Sequence, residues 1–204
     1  IMGLISAGST IFDAGSMSAG FGGSMVFIKK LTASSSSTLT FVHGSSNVVL
    51  DSTYKEYVFT FKDLHPATDN VFIGHQADVN GGSSYAQTAT NCMFYARHGE
   101  GGAFGDFNHY ASDDQAQGTG INKMAQLGAD GDQTGSGYLH IFNPSSTTFV
   151  KHFKSVVSGC HPDNNNMAIQ NAGYYNTTSA LDRFQFKMAS GNIDAGDICL
   201  YGIA

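Results

Sequence analysis

The segment Arg183-Phe184-Gln185-Phe186-Lys187-Met188 alternates polar and large apolar side chains without a break. A helix turns about 100° per residue and would scatter these six side chains around its circumference. An extended strand instead sends Phe184, Phe186 and Met188 to one side and Arg183, Gln185 and Lys187 to the other. A chain made of such segments must bury one face of a sheet and wet the other. The pattern recurs along the sequence. It predicts strands over Ser24–Leu31, Thr38–His43, Tyr54–Lys62, Val71–Val79, Asn91–His98, Ile121–Leu127, Tyr138–Phe142, Phe149–Val157 and Ile198–Ile203. Tyr57, Phe59 and Phe61 share one face of their segment, and Phe149, Phe153 and Val157 one side of theirs. No stretch sustains apolar residues at helical spacing; Asp113–Gln117 could form one helical turn.

Between the strands lie clusters whose residues tolerate positive φ or cap their own backbone. These are Gly44–Asn47, Asn80–Gly82, Asp130–Asp132, Asn143–Ser146, Asp163–Asn166 and Ser190–Asn192. Long loops are expected around 80–90, 99–120 and 160–170. Ten or so short strands in 204 residues, with 15 Phe, 9 Tyr, 25 Gly and only 13 % charged residues, point to one all-β domain. The expected architecture is a jelly-roll-like antiparallel β-sandwich over 24–204. Residues 1–23 differ: glycines interleave with Ser and Ala, and apolar residues stand alone at Ile5, Ile11, Phe12, Met17 and Phe21. So few anchors cannot pack by themselves, so this part reads as an extended N-terminal arm, either loose or ordered by docking on a partner.

The charge balance excludes several classes. Ten Lys and Arg against sixteen Asp and Glu leave little to grip a phosphate backbone, so no nucleic-acid partner is expected. No apolar run approaches the roughly 20 residues that span a bilayer, and the start lacks the basic flank of a secretory signal. Ile1 before Met2 reads as a scar of cloning or cleavage. Cys92, Cys160 and Cys199 are an odd number without CxxC spacing, which argues against a disulfide framework and a zinc site. Each is expected to be a small buried hydrophobe in or beside a strand, in keeping with assembly in a reducing cytoplasm.

Candidate sites are few. Eight histidines, at 43, 65, 75, 98, 109, 140, 152 and 161, include no HxH, HxxxH or HExxH pair, although His140 and His152 could face each other across a sheet. Asp106, Asp113 and Asp114 in the 99–120 loop, with Asp130 and Asp132 in the next turn, are the carboxylates a glycosidase could use. Aspartates among glycines more often serve turns, and the chain has no Trp for sugar stacking. Ala129–Gly135 lacks the spacing of an EF-hand and reads as a hairpin turn. No GxSxG, P-loop or paired Cys/His nucleophile occurs, and the Asn176-Thr177-Thr178 sequon carries little without a secretory signal. No catalytic, cofactor-binding or metal-binding residue is therefore assigned, and no cofactor is expected. The loops Gly81–Tyr85, Gly99–Tyr110, Asn164–Asn166 and Tyr174–Asn176 have the polar and aromatic mix of protein-binding loops.

Several stretches carry a resemblance. They are Thr32–Thr38 (TASSSST), Asp51–Phe59 (DSTYKEYVF), Pro66–Asp69, Gly81–Tyr85, Asn143–Thr148 followed by Lys151-His152-Phe153, and above all Ser190–Gly196 with Leu200–Ile203. With these the chain resembles, from about Ser24 to Ile203, a family of virion-associated proteins common in marine phages, especially those of cyanobacteria. The resemblance implies a non-enzymatic structural protein on the particle exterior, either a capsid decoration or head fibre, or a tail fibre. It further implies a location on a virion assembled in the host cytoplasm. Although the resemblance says little about residues 1–23, on this reading that arm would anchor the chain to capsid or tail proteins, and a symmetric site would hold a homotrimer. A host-surface glycan or protein is a further expected partner. A carbohydrate-binding or carbohydrate-cleaving module is the alternative.

Overall fold

The computed structural model describes residues 24–204 in full and, before them, only the backbone of Leu4–Ser6 (β1), Ser9–Asp13 (β2) and Ser16–Met17 (β3). These three short strands pair antiparallel with one another in the order β1-β2-β3. The rest of the expected arm lies outside the described residues. Twelve strands follow: β4 (Met25–Thr32), β5 (Leu39–Val42), β6 (Glu56–Pro66), β7 (Val71–Val79), β8 (Ala89–Gly99), β9 (Gly105–His109), β10 (Asn122–Leu127), β11 (Gly135–Phe142), β12 (Lys151–His161), β13 (Asn165–Tyr175), β14 (Leu181–Met188) and β15 (Ile193–Ile203). They form an eight-stranded sheet in the order β4-β15-β6-β11-β12-β13-β8-β9 and a four-stranded sheet in the order β10-β7-β14-β5. All the pairings are antiparallel, and the two sheets pack face to face as a β-sandwich around one core.

The alternation that defines the strands also fills that core. Tyr57, Phe59 and Phe61 point inward from β6, while Phe184, Phe186 and Met188 do so from β14. Phe59 lies 4.9 Å from Phe186, 5.2 Å from Phe41 of β5 and 5.6 Å from Phe184, ring centre to ring centre, mostly edge to face. Phe61 adds a contact with Phe186 at 5.5 Å. Aromatic pairs in these geometries add about 0.5–1.5 kcal/mol each beyond the apolar area they bury. This seam ties the centre of the large sheet to that of the small one.

Several expectations need correction. The segment 160–170 is not a loop: β12 runs on to His161, a tight turn closes when the Asn164 amide donates to the His161 carbonyl (3.0 Å), and β13 begins at Asn165. The turn needs only Pro162–Asn164, with Asn164 itself at φ 52°, so the next two asparagines are free to join the ladder. Within 99–120, β9 folds back on β8 as a hairpin edge strand. Asp113–Gln117 is not helical, since the Asp113 amide donates to the Tyr110 carbonyl at 2.9 Å and the chain then runs irregularly. Ala129–Gly135 contains the expected turn, with the Gln133 amide donating to the Asp130 carbonyl at 2.8 Å. It carries the chain from one sheet to the other, so it is a crossover and not a hairpin. Phe149 is 68 % exposed in the turn before β12, and the inward position nearest to it on the strand is taken by Lys151. The three cysteines are free, with Cys92 exposed and Cys160 and Cys199 half-buried, because strand parity puts them on the outward side.

The loop at 80–88 is held from inside the sheet. Asp78, 2 % exposed at the end of β7, accepts hydrogen bonds from the amides of Val79 and Tyr85 (both 2.9 Å), from Gln87 Nε2 (2.9 Å) and from Ser84 Oγ (3.3 Å). Burial opposes its ionisation, but these donors outweigh burial and hold the carboxyl below its usual range.

Replacement of Phe59 by Ala should cost about 3–5 kcal/mol, because the ring touches three others across the sheet interface. Urea unfolding should show a lower midpoint at an unchanged slope.

Candidate functional site

The described residues form a groove of about 540 Å³ at one end of the sandwich, where β6 and β15 both depart from regular pairing. Two backbone features open it. Asp63 sits in the left-handed region (φ 51°), and Gly196 at φ +112° passes so close to the Asp63 carbonyl that a Cβ there would lie 2.5 Å from its oxygen. Only glycine fits position 196. Thr32, Lys62, Asp63, His65, Thr134 and Asp197 supply the polar lining.

Most of these groups are already engaged. Asp197 accepts from Thr32 Oγ1 (2.5 Å) and from Lys30 Nζ (3.2 Å), and these two donors hold its carboxyl below the ordinary range. His65 Nε2 donates to the Asp130 carbonyl at 3.2 Å, and its Nδ1 lies 4.0 Å from Asp194 Oδ2. A carboxylate held ionised, as that of Asp197 is, makes a poor general acid. No Phe, Tyr or Trp side chain lines the groove, and its one ring is the imidazole of His65.

The carboxylates that stood out in the sequence are not brought together in a cleft. Asp106 on β9 meets Arg97 of β8 through two oxygens, Oδ1 to Nε at 2.9 Å and Oδ2 to Nη2 at 2.9 Å. Asp113 pairs with Lys123 Nζ. Asp114 accepts from the Met93 amide (2.7 Å) and contacts His109 Nε2 (2.6 Å). Each latches the 99–120 segment onto β8 or β10. Asp130 shapes its turn, and Asn176 donates to Gln117 Oε1 at 2.5 Å. His140 and His152 both point outward, but the register sets Lys154 opposite His140, whose Nδ1 bonds Glu56, while His152 pairs with Tyr174. Among the described residues, no three His, Cys, Asp or Glu side chains gather where a metal ion could be held.

Sequence reading missed the buried polar groups. His75 on β7 is fully buried, packed on the rings of Phe153 (4.8 Å) and Tyr175 (5.8 Å). Asn122 Nδ2 donates to Tyr175 Oη at 3.1 Å, so the phenol turns its own hydrogen to His75 Nδ1 at 2.9 Å. Asn122 Oδ1 in turn accepts from Asn91 Nδ2 (2.9 Å) and Gln115 Nε2 (3.0 Å). Burial lowers the His75 pKa to about 3 and pushes that of Tyr175 far up, so both are neutral. Lys151, also fully buried, donates to the carbonyls of Phe149 (2.9 Å) and Thr177 (3.0 Å), and burial lowers its pKa. A strict in–out alternation signalled all three positions: His75, Lys151 and Tyr175 have the parity of core residues. Only the assumption that core positions are apolar hid the first two.

A β-sandwich with a polar end groove, latched loops and a buried neutral histidine is the class defined to this point. No family model matches the chain, and neither a curated protein nor a solved structure matches it.

His75 makes stability depend on pH with a definite sign. The unfolded chain protonates this histidine near pH 6.5, whereas the folded protein does not until about pH 3. The unfolded state therefore binds the extra proton, and stability falls with decreasing pH from about 6.5 toward 3, by up to ~1.4 kcal/mol per pH unit. His161, lowered by burial against the opposing charge of Asp163, acts in the same direction. Replacement of His75 by Asn keeps an acceptor for Tyr175 and should flatten this dependence above pH 4.5, as read by urea unfolding at a series of pH values.

Proposed function

We propose that this chain is a non-enzymatic structural protein of a phage virion, carried on the particle exterior as a capsid decoration or head fibre and anchored through residues 1–23. The observation that carries the reading is the strand order. Taken as eight strands in chain order, β4, β5, β6, β7, β10, β11, β14 and β15 put the first, eighth, third and sixth side by side in the large sheet. The second, seventh, fourth and fifth compose the small sheet. That order supports a jelly roll, a fold used repeatedly by capsid domains. The pairs β8–β9 and β12–β13 then read as two insertions that broaden one sheet. Fold alone does not assign function. The resemblance of the Ser190–Gly196 and Leu200–Ile203 endings to marine phage virion proteins supplies the particle, and the commitment of Asp106, Asp113 and Asp114 to latches supports the non-enzymatic part. Symmetric sites on a particle favour a homotrimer.

The groove lined by Lys62, Asp63 and His65 favours a second reading, a receptor-binding module of a tail fibre that takes a host-surface glycan.

Mass spectrometry of purified particles, followed by cryo-EM with an antibody label on this chain, tests both. Label over the capsid is the expected result. Label at tail tips would move the assignment to the second reading, and a particle without the chain would overturn the virion reading altogether.

A further inference from the structure

The outward face of the eight-stranded sheet is unlike the wet face of an ordinary antiparallel sheet. Its β4-β15-β6-β11 half presents Met25, Phe27, Tyr138, Tyr201, Ile203 and Phe142, of which Phe27 is 57 % exposed and Phe142 40 %. The register makes them continuous. Phe27 pairs with Tyr201, Tyr201 with Val58, and Val58 with His140, while Met25, Ile203, Glu56 and Phe142 form the next row. Ring contacts join Phe27 to Tyr201 at 5.6 Å, and Tyr138, His140 and Phe142 in succession at 5.2 and 6.0 Å. Apolar side chains gathered into one exposed patch, unlike singly scattered ones, mark an interaction surface.

Two further observations bear on what covers it. Outward positions of this sheet from β4 to β8 hold three of the ten basic residues, Lys30, Lys62 and Lys154, and four of the sixteen acidic ones, Glu56, Asp63, Asp194 and Asp197. Glu56 is hydrogen-bonded to His140 Nδ1, Asp197 pairs with Lys30, and Asp63 lies 3.9 Å from Lys62 Nζ. These groups leave the face at −1 (three positive against four negative) of the chain's −6, so copies can approach here with little mutual repulsion. Its extent is also sufficient. Eight strands about 4.8 Å apart and roughly eight residues long present on the order of 900 Å², against the ~800 Å² per partner of a stable interface.

We infer that copies of this chain associate through the outward face of the eight-stranded sheet, with Tyr138, Phe142, Phe27 and Tyr201 forming the apolar half of the contact. This rests on the oligomeric part of the function proposed above and names the surface it uses. Edge strands β4 and β9 bound the face, so association across it would also bring those unpaired edges beside a neighbour.

Light scattering after size exclusion on the full chain, with a Tyr138→Glu/Phe142→Glu double variant and a Lys187→Glu control on the small sheet, tests the inference. The unmodified chain and the control should be oligomeric with the same mass. The double variant should shift to monomer, its association weakened at least 100-fold. A monomeric unmodified chain would overturn the oligomeric reading and this inference with it. An oligomer that survives the double substitution would overturn the surface assignment alone. Hydroxyl-radical footprinting of the unmodified chain on dilution gives a readout that needs no variant: Tyr138, Phe142 and Tyr201 should gain reactivity as the oligomer dissociates. Equal reactivity at all concentrations would refute the surface.

Discussion

The contact on which the rest of the structure depends is the seam of rings around Phe59. Hydrogen bonding within each sheet is satisfied by its own ladder and says nothing about where the other sheet lies. What fixes their relation is that Phe59 and Phe61 from β6 interlock with Phe41, Phe184 and Phe186 from the opposite side. The first set lies on β6 and the second on β14 and its neighbour β5, so strands further out inherit their distance from the partner sheet. Away from the seam the interior becomes more polar. His75, Asn91, Asn122 and Tyr175 fill the space beside β12, β13 and β8 with a hydrogen-bonded chain, which is well made only in one arrangement. Apolar packing sets the spacing, and the polar chain ties β8, β13, β7 and β10 together at one relative position.

The fold was legible wherever inward and outward positions differed in polarity. Arg183–Met188 and Tyr54–Lys62 are such segments, and both are strands with the expected faces buried. β13 was not legible, for two reasons. It opens with Asn165-Asn166, which in isolation signals a turn, and its inward row reads Asn165, Met167, Ile169, Asn171, mixing amides with apolar side chains. Those amides face the interior because Asn165 lies beside His161 across the tight turn and Asn171 Nδ2 finds the carbonyl of Lys123, on a strand of the other sheet that no local pattern discloses. β9 was hidden differently. It is short and mostly exposed, and it exists because Arg97 grips Asp106 across the hairpin.

The sites show the same division. Residue type alone marked Asp106, Asp113 and Asp114 as available carboxylates, yet each has a cation, an amide or an imidazole waiting on a neighbouring strand. The end groove was invisible beforehand, because it is made by a left-handed Asp63 beside Gly196 and by a turn from another part of the chain. The outward aromatic face lay half in view. The alternation in Tyr138–Phe142 was plain, but which of its two sides met the core could be decided only once Leu139 and Ile141 were found inside.

β15 lies between β4 and β6, so the first strand of the large sheet has no neighbour other than the last. During synthesis, β4 and β6 emerge early and must wait as open edges while more than a hundred residues follow. Closing such a long loop is entropically costly and slow. The large sheet cannot become continuous until β15 leaves the ribosome and slides between two strands already made. A chain with this topology spends its synthesis with its stickiest edges exposed, which favours production beside many copies of itself only where folding is assisted or assembly is fast.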